Sequence, residues 1–385
     1  MQGYSIGANG APSFNKQKAV IGVWHRPNSS GRENTLQGLI SVLDEFASAG
    51  INTVFVEAFH HGMTFFRNEM VPYYRGYDEF NFGEYPDYLT AFVKEATARG
   101  ISVHAWVQNF YIGVRDEVHF AVNHPDWILK NQHGSTRHTT EGQGFGGYIF
   151  LDPANSEARG YLIRFYDLML QRFPEIKGLN LDYIRYPVSI FEENTDTGYT
   201  DVAMNGFAER FGIELMDFDT RVEFNRAIRE KNLLEEWVAY RADFVTSFVL
   251  DVSRMMRMKH PGKPLSTAVF PELNEAYYKK KQNVQAWLKS GALDMVTPMV
   301  YSYNADDVRE QVLVMKKMCA GVKCCAGLYA TYHKQSPAEL IDHINAGIAS
   351  GSDGYILFDA AKTFFESFVD YKAILSEYNE NVNND

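Results

Sequence analysis

The chain has 385 residues, of which 45% are hydrophobic, 22% charged and 14% aromatic. That composition excludes wholesale disorder and a collagen-like or coiled-coil rod; the length fits either two to three domains or one α/β barrel with long loops. With 37 basic against 48 acidic residues the net charge is −11, which disfavours general binding to nucleic acid or an anionic membrane. A neutral or cationic small molecule, or a glycan, is easier to accommodate.

The elements follow in chain order. Ala19–Trp24 reads as a strand, and Glu33–Ala49 as a helix with apolar residues at helical spacing, stopped by Gly50. Ile51–Phe59 is a second strand, Tyr88–Arg99 a helix ended by Gly100, and Ile101–Val107 a third strand. A long Gly-rich excursion to Gly147 precedes the helix Ser156–Phe173, and Gly178–Ile184 makes a fourth strand. A second excursion runs from Pro187 to about Glu230, before the long helix Leu233–Arg257. Strands at Leu265–Phe270, Leu293–Tyr301, Val322–Tyr329 and Gly354–Phe358 then alternate with helices at Asn283–Ser290, Asp306–Cys319, Pro337–Ser350 and Thr363–Tyr378.

Eight strand-helix pairs without a composition break predict an α/β fold, a single (β/α)8 TIM barrel with long loops after strands three and four. Residues 1–385 are treated as one domain with a barrel core at about 19–378. No strand-to-helix turn carries GxGxxG or GxxxxGK[ST], which argues against a doubly wound nucleotide-binding sheet, and no cofactor is expected. No apolar run reaches the ~18–20 residues of a membrane span. The opening segment MQGYSIGANGAPSFNKQKAV lacks a basic region followed by an apolar core, so it is not a signal peptide as written. The three cysteines, Cys319, Cys324 and Cys325, make no disulfide framework. Cys324 and Cys325 are expected as buried strand residues.

In such a barrel function sits at the C-terminal ends of the strands. Those ends supply Trp24, His25 and Arg26; Glu57, His60 and His61; His104, Trp106, Gln108 and Asn109; Asp182, Tyr183 and Arg185; Glu272; Tyr301; Tyr329; and Asp359. Aromatic planes stack on sugar rings, polar groups pair with hydroxyls, and glycosidic hydrolysis needs two carboxyl groups. Asp182 is the leading catalytic candidate because it sits in the apolar run GLNLDYIRYP, where an acid must be desolvated and partnered. Glu57 and Glu272 are candidates for its partner. Trp24, His104, Trp106, Asn109, Tyr183, Arg185, Tyr301 and Tyr329 are expected to bind substrate, Trp24 and Trp106 having core packing as the competing reading. His104 is expected in the barrel mouth, bonded to a sugar hydroxyl or to Asp182, or else is a paired core histidine. Arg185 is expected either to pair with Asp182 and keep it ionised or to form a structural ion pair. Trp127 suggests an outer subsite, and Gln132–Tyr148 a mobile lid, subsite wall or plain surface loop. No HExxH-type spacing accompanies the histidines, so no metal is expected.

Several motifs in order carry a family resemblance: Gly22-Val23-Trp24, Asn52-Thr53-Val54, His104-Ala105-Trp106, His124-Pro125-Asp126-Trp127, Leu151-Asp152-Pro153, and the run from Leu181 to Pro187. Trp237 and Arg241, Val269-Phe270-Pro271, Val296-Thr297-Pro298-Met299 and Gly327-Leu328-Tyr329 follow. The chain resembles the glycosyl hydrolase-like 10 family over nearly its whole length. The resemblance implies a barrel that hydrolyses O-glycosidic bonds in a polysaccharide or a bacterial cell-wall glycan lacking peptides. An extracytoplasmic protein whose leader has been trimmed is favoured over a cytoplasmic one. Many members carry two consecutive acids at the end of strand four; here the second position is Tyr183, so the partner acid is expected from another strand. A barrel that binds carbohydrate without catalysis is the alternative. A barrel acting on a phosphorylated compound is disfavoured, since Asp359 would stand where phosphate sits.

Overall fold

The computed structural model describes residues 19–381 except 115–117, 142–143, 145, 192, 194, 216–219, 330–335 and 367–370. The opening segment, part of the Gln132–Tyr148 segment and part of the last expected helix therefore lie outside the described residues. The strands are β1 (Val20–His25), β2 (Thr53–His60), β3 (Ser102–Gln108), β4 (Gly178–Asp182), β5 (Leu265–Val269), β6 (Met295–Pro298), β7 (Lys323–Cys324), β8 (Ala326–Tyr329) and β9 (Gly354–Phe358). They pair in the order β7-β6-β5-β4-β3-β2-β1-β9-β8, and every pairing is parallel.

The two end segments, β7 and β8, are separated by Cys325 alone, whose N–H donates to Val296 O at 3.0 Å. A further parallel bridge joins Met299 to Gly327. The sheet is thus a nearly closed barrel of nine parallel strand segments with helices around it. The helices that follow these strands include α1 (Leu36–Ser48), α2 (Tyr88–Ala98), α3 (Ser156–Arg172), α4 (Leu234–Lys259), α5 (Val284–Lys289), α6 (Ala305–Met318), α7 (Pro337–Ala349) and α8 (Tyr371–Asn381). Their starts are written in the chain: the side chains of Thr35, Asp87, Asn155, Asn304 and Ser336 accept backbone N–H groups that the first helical turn leaves unpaired.

Period-two alternation divides the barrel's side chains between two cores. The outward residues of the strands join the helices in one large apolar cluster. The inward residues Trp24, Phe55, Trp106, Ala268, Met295, Cys325 and Ile356 form a separate core. Inside it Trp24 Nε1 donates to Asn180 Oδ1 at 3.2 Å, and Asn180 Nδ2 to Ser266 Oγ at 2.9 Å. Trp24 is therefore a buried barrel residue, and sugar stacking on it is not what this position offers. All three cysteines are buried.

Further elements lie outside the strand-helix pairs expected from the sequence. The excursion after β3 contains the antiparallel pair Tyr111–Gly113 and Ile149–Phe150. The excursion after β4 contains helices Asp201–Phe211 and Thr220–Glu230, which pack with Trp237 of α4 into a satellite core. No described helix is long and apolar enough to cross a membrane.

Candidate active site

The mouth is built by the residues one step above the inner core. Register places Glu57 beside Trp106, and Gln108 beside Asp182. The acids of β2 and β4 therefore flank the same neighbour, β3.

Glu57 is buried. Gln108 Nε2 donates to its Oε1 at 2.8 Å, and His60 Nδ1 lies 3.0 Å from the same oxygen. Arg26 Nε is 3.9 Å from Oε2. Burial alone pushes the Glu57 carboxyl up, but His60, Arg26 and His61 outweigh it and hold the group below its ordinary value.

Asp182 differs. Its Oδ1 accepts the Tyr183 N–H at 2.6 Å and its Oδ2 the Trp106 indole N–H at 3.0 Å. Burial is the largest influence, and these bonds and Arg185 do not offset it, so the carboxyl is raised above its ordinary value. The expected direct pairing with Arg185 is absent. That guanidinium grips Glu141 instead, with both oxygens engaged at 2.8 and 2.9 Å. It also stands over the Tyr183 ring at 4.7 Å. Arg185 thus anchors a residue of the β3 excursion to the end of β4 (a structural ion pair, the other reading of its sequence).

The chain leaves the strand at Tyr183, which takes a left-handed backbone with φ of 47°. That is why the strand stops two residues short of the expected Ile184. His61, at φ 49°, is a second non-glycine residue in this region. Bulky left-handed residues are uncommon and tend to gather at functional sites. Tyr183 stacks on Tyr111 with centroids 4.6 Å apart, and the Tyr111 hydroxyl lies 2.9 Å from His61 Nε2. Across the mouth Tyr301, Tyr329 and Phe358 form a triangle of rings 5.4 to 5.9 Å apart. The charges of Asp182 and Asp359 both act on the Tyr301 hydroxyl.

Several expected site residues are not presented to the mouth. Glu272 is exposed, just before the helix Leu273–Lys280, and its Oε1 accepts from Gln311 Nε2 at 2.9 Å; it is not brought together with Asp182. His104 points into the barrel beside Gly178, at the N-terminal end of β4, not into the mouth. Burial there pushes its imidazole down to about 4, so it is a neutral core histidine. Asn109 is buried: its N–H and its Nδ2 both donate to the Asp182 carbonyl, at 2.9 and 2.6 Å, while its Oδ1 accepts from the Tyr166 hydroxyl. It positions Asp182 and offers nothing to a ligand. Trp106 is 1% exposed and acts as the floor of the mouth and as a donor to Asp182. Trp127 is also buried, stacked on His124 at 3.8 Å, so it makes no outer subsite.

Sequence reasoning gave Arg26, His60 and Gln108 no role, although all three surround Glu57. Strand periodicity held the signal, since each lies an even number of residues from an inward-facing residue or at a strand end. Among the described residues no group of three His, Cys, Asp or Glu could hold a metal ion.

A parallel barrel with two inward carboxylates and an aromatic rim at its mouth has the layout of the glycosidase-like barrels. The chain belongs to the glycosyl hydrolase-like 10 family, whose family model matches residues 20–326. Among curated proteins it is 23% identical over 296 residues to the glycosyl hydrolase DigH of Escherichia coli K12, covering 69% of this chain and 58% of that protein. It is 22% identical over 314 residues to an S-layer-related protein of Niallia circulans, covering 72% of this chain but 19% of that one. The chain thus spans about half or less of the length of these relatives. Among solved structures it resembles the β-galactosidase of Rahnella sp. R3, with a TM-score of 0.65 and 12% identity, over 97% of this chain and 57% of that one. The β-galactosidase of Bacillus circulans sp. alkalophilus gives 0.63 and 13%, over 95% and 56%. At such identities the likeness concerns the fold.

Proposed function

We propose that the protein is a glycoside hydrolase whose catalytic pair is Asp182 and Glu57. The observation that carries this reading is the placement of two buried carboxyls on either side of β3 at the mouth, Asp182 against the Trp106 indole where burial raises it and Glu57 beside His60 and Arg26, which lower it. Environments that push two acids apart assign the roles of acid and base. Asp182 in its neutral form donates a proton to the leaving glycosidic oxygen. Glu57, ionised beside His60, attacks the anomeric carbon or activates water. This reverses the base or nucleophile role that an Arg185 pairing would have given Asp182.

The rings of Tyr183, Tyr301, Tyr329 and Phe358 offer faces for sugar stacking. The substrate class is a polysaccharide or bacterial cell-wall glycan, and an extracytoplasmic protein suits it. The reading takes the chain as one (β/α)8 unit in which β7 and β8 count as one strand position.

The test is release of reducing ends from a glycan panel by the wild type, Asp182→Asn and Glu57→Gln. Each variant should keep its fold and lose about 10²–10⁴ in turnover, the usual contribution of one acid-base group. Variants as active as the wild type would dismiss the pair. Binding by a wild type that turns over no glycan would favour the non-catalytic carbohydrate-binding barrel.

A further inference from the structure

Arg26 follows β1 and its side chain is 42% exposed at the mouth. The guanidinium lies over the rings of Trp106 and Phe358, 5.5 and 5.6 Å from their centroids. Its Nε is 3.9 Å from Glu57 Oε2, beyond hydrogen-bond reach. That Nε is buried and meets no acceptor among the described residues. Other basic side chains are engaged: Arg185 with Glu141, Lys280 with Glu275 and Lys362 with Glu366.

A guanidinium carries five donors in a planar fork. The two rings satisfy its face and leave its N–H edge without an acceptor. Burying such a donor unpaired is costly, and an acceptor entering the mouth would complete the arrangement. A carboxylate matches the fork with two parallel bonds, whereas a hydroxyl uses one donor. We propose that Arg26 reads a carboxylate on the sugar, so that the substrate class is an acidic glycan. This inference rests on the mouth being a glycan site and names what that site selects.

The charges facing Arg26 set a limit on the anion. Glu57, Asp359, Tyr183 and Asp182 all act on it. A dianionic phosphate would meet more repulsion here than a single carboxylate. Two features make room for one further negative charge. Glu57 already has Gln108 and His60 on one oxygen, and burial favours the neutral form of Asp182. A sugar carries such a carboxylate either as a uronic acid or on a lactyl ether.

The experiment compares oligosaccharides of both kinds, each as the free acid and as its neutral methyl ester. Both kcat/KM and calorimetric Kd are measured on the wild type, Arg26→Gln and Arg26→Lys, with thermal melts as the folding check. The wild type should prefer the acid by about ten- to hundredfold in at least one pair, the range expected of a charge-assisted hydrogen bond. The pair that shows the preference identifies the carboxylate's source. Arg26→Gln should bring the ratio close to one, and Arg26→Lys, which keeps the charge but not the fork, should leave part of it. A wild-type ratio near one in both pairs, or a preference untouched in Arg26→Gln, overturns the inference. Hydrolysis without acid preference would sink the Arg26 role and leave the hydrolase reading standing. Acid-selective binding lost in Arg26→Gln, with no turnover of any glycan, would do the reverse.

Discussion

Arg241→Met removes one member of a buried ion cluster that ties the excursion after β4 to helix α4. Arg241 Nη1 donates to Asp196 Oδ1 at 2.8 Å, and the two side chains are 0% and 1% exposed. Lys281 Nζ lies 3.7 Å from the same oxygen, and the Tyr199 hydroxyl donates to Oδ2 at 3.0 Å. Replacing Arg241 leaves the buried Asp196 with Lys281 as its remaining cation, at 3.7 Å and without a hydrogen bond to it, and breaking such a pair costs about 3–5 kcal/mol. An unfolding entropy of ~2.1 cal/mol/K per residue turns that into a fall of roughly 4–6 °C in Tm for a chain of 385 residues.

The pH dependence is an internal check. Burial opposes ionisation of Asp196, yet Arg241 and Lys281 hold its carboxyl down at about 2. Against an unfolded value of ~3.9 this contributes about 2–3 kcal/mol of stability. Because the folded value is depressed, the contribution is complete above the unfolded value and is lost as pH falls from about 4 to about 2. Thermal melts by circular dichroism should show the drop near neutral pH and a weaker acid dependence in Arg241→Met. A variant that melts within about 1 °C of the wild type would refute the reasoning.

Trp106→Phe removes the indole donor that lowers Asp182. The alkaline limb of kcat/KM should move up by about one pH unit or less, the worth of one hydrogen bond, and a limb that moves down would contradict the assignment. Glu272→Gln should leave kcat/KM within about twofold, since the carboxylate is exposed and bonded to Gln311; a loss of about tenfold or more would return Glu272 to the mechanism.

The barrel strands were legible because they are largely buried apolar runs separated by amphipathic helices, several of which stop at a glycine. Gly354–Phe358 falls where the sequence placed it, while Val322–Tyr329 is broken at Cys325, where the chain changes partner from β6 to β9. The helices Asp201–Phe211 and Thr220–Glu230 were missed because each buries only a short face against Trp237. At the site, Asp182 was legible as an acid in an apolar run. Its neighbours were not, because pairing across the barrel is long-range: Arg185 meets Glu141, 44 positions earlier in the chain, and Trp106 meets Asp182, 76 positions later. His104 has the same residue type as a site histidine, and only its height in the barrel distinguishes it.

The most direct test of the central claim is the pH dependence of kcat/KM for glycan hydrolysis by the wild type, Glu57→Gln and Asp182→Asn. The active form has Glu57 ionised and Asp182 protonated, so the wild type should give a bell-shaped profile. Its acid side falls as Glu57 takes up a proton and its alkaline side as Asp182 loses one. The small residual rate of Asp182→Asn should lack the alkaline limb, and that of Glu57→Gln the acid limb. A profile whose two limbs survive both substitutions would contradict the account.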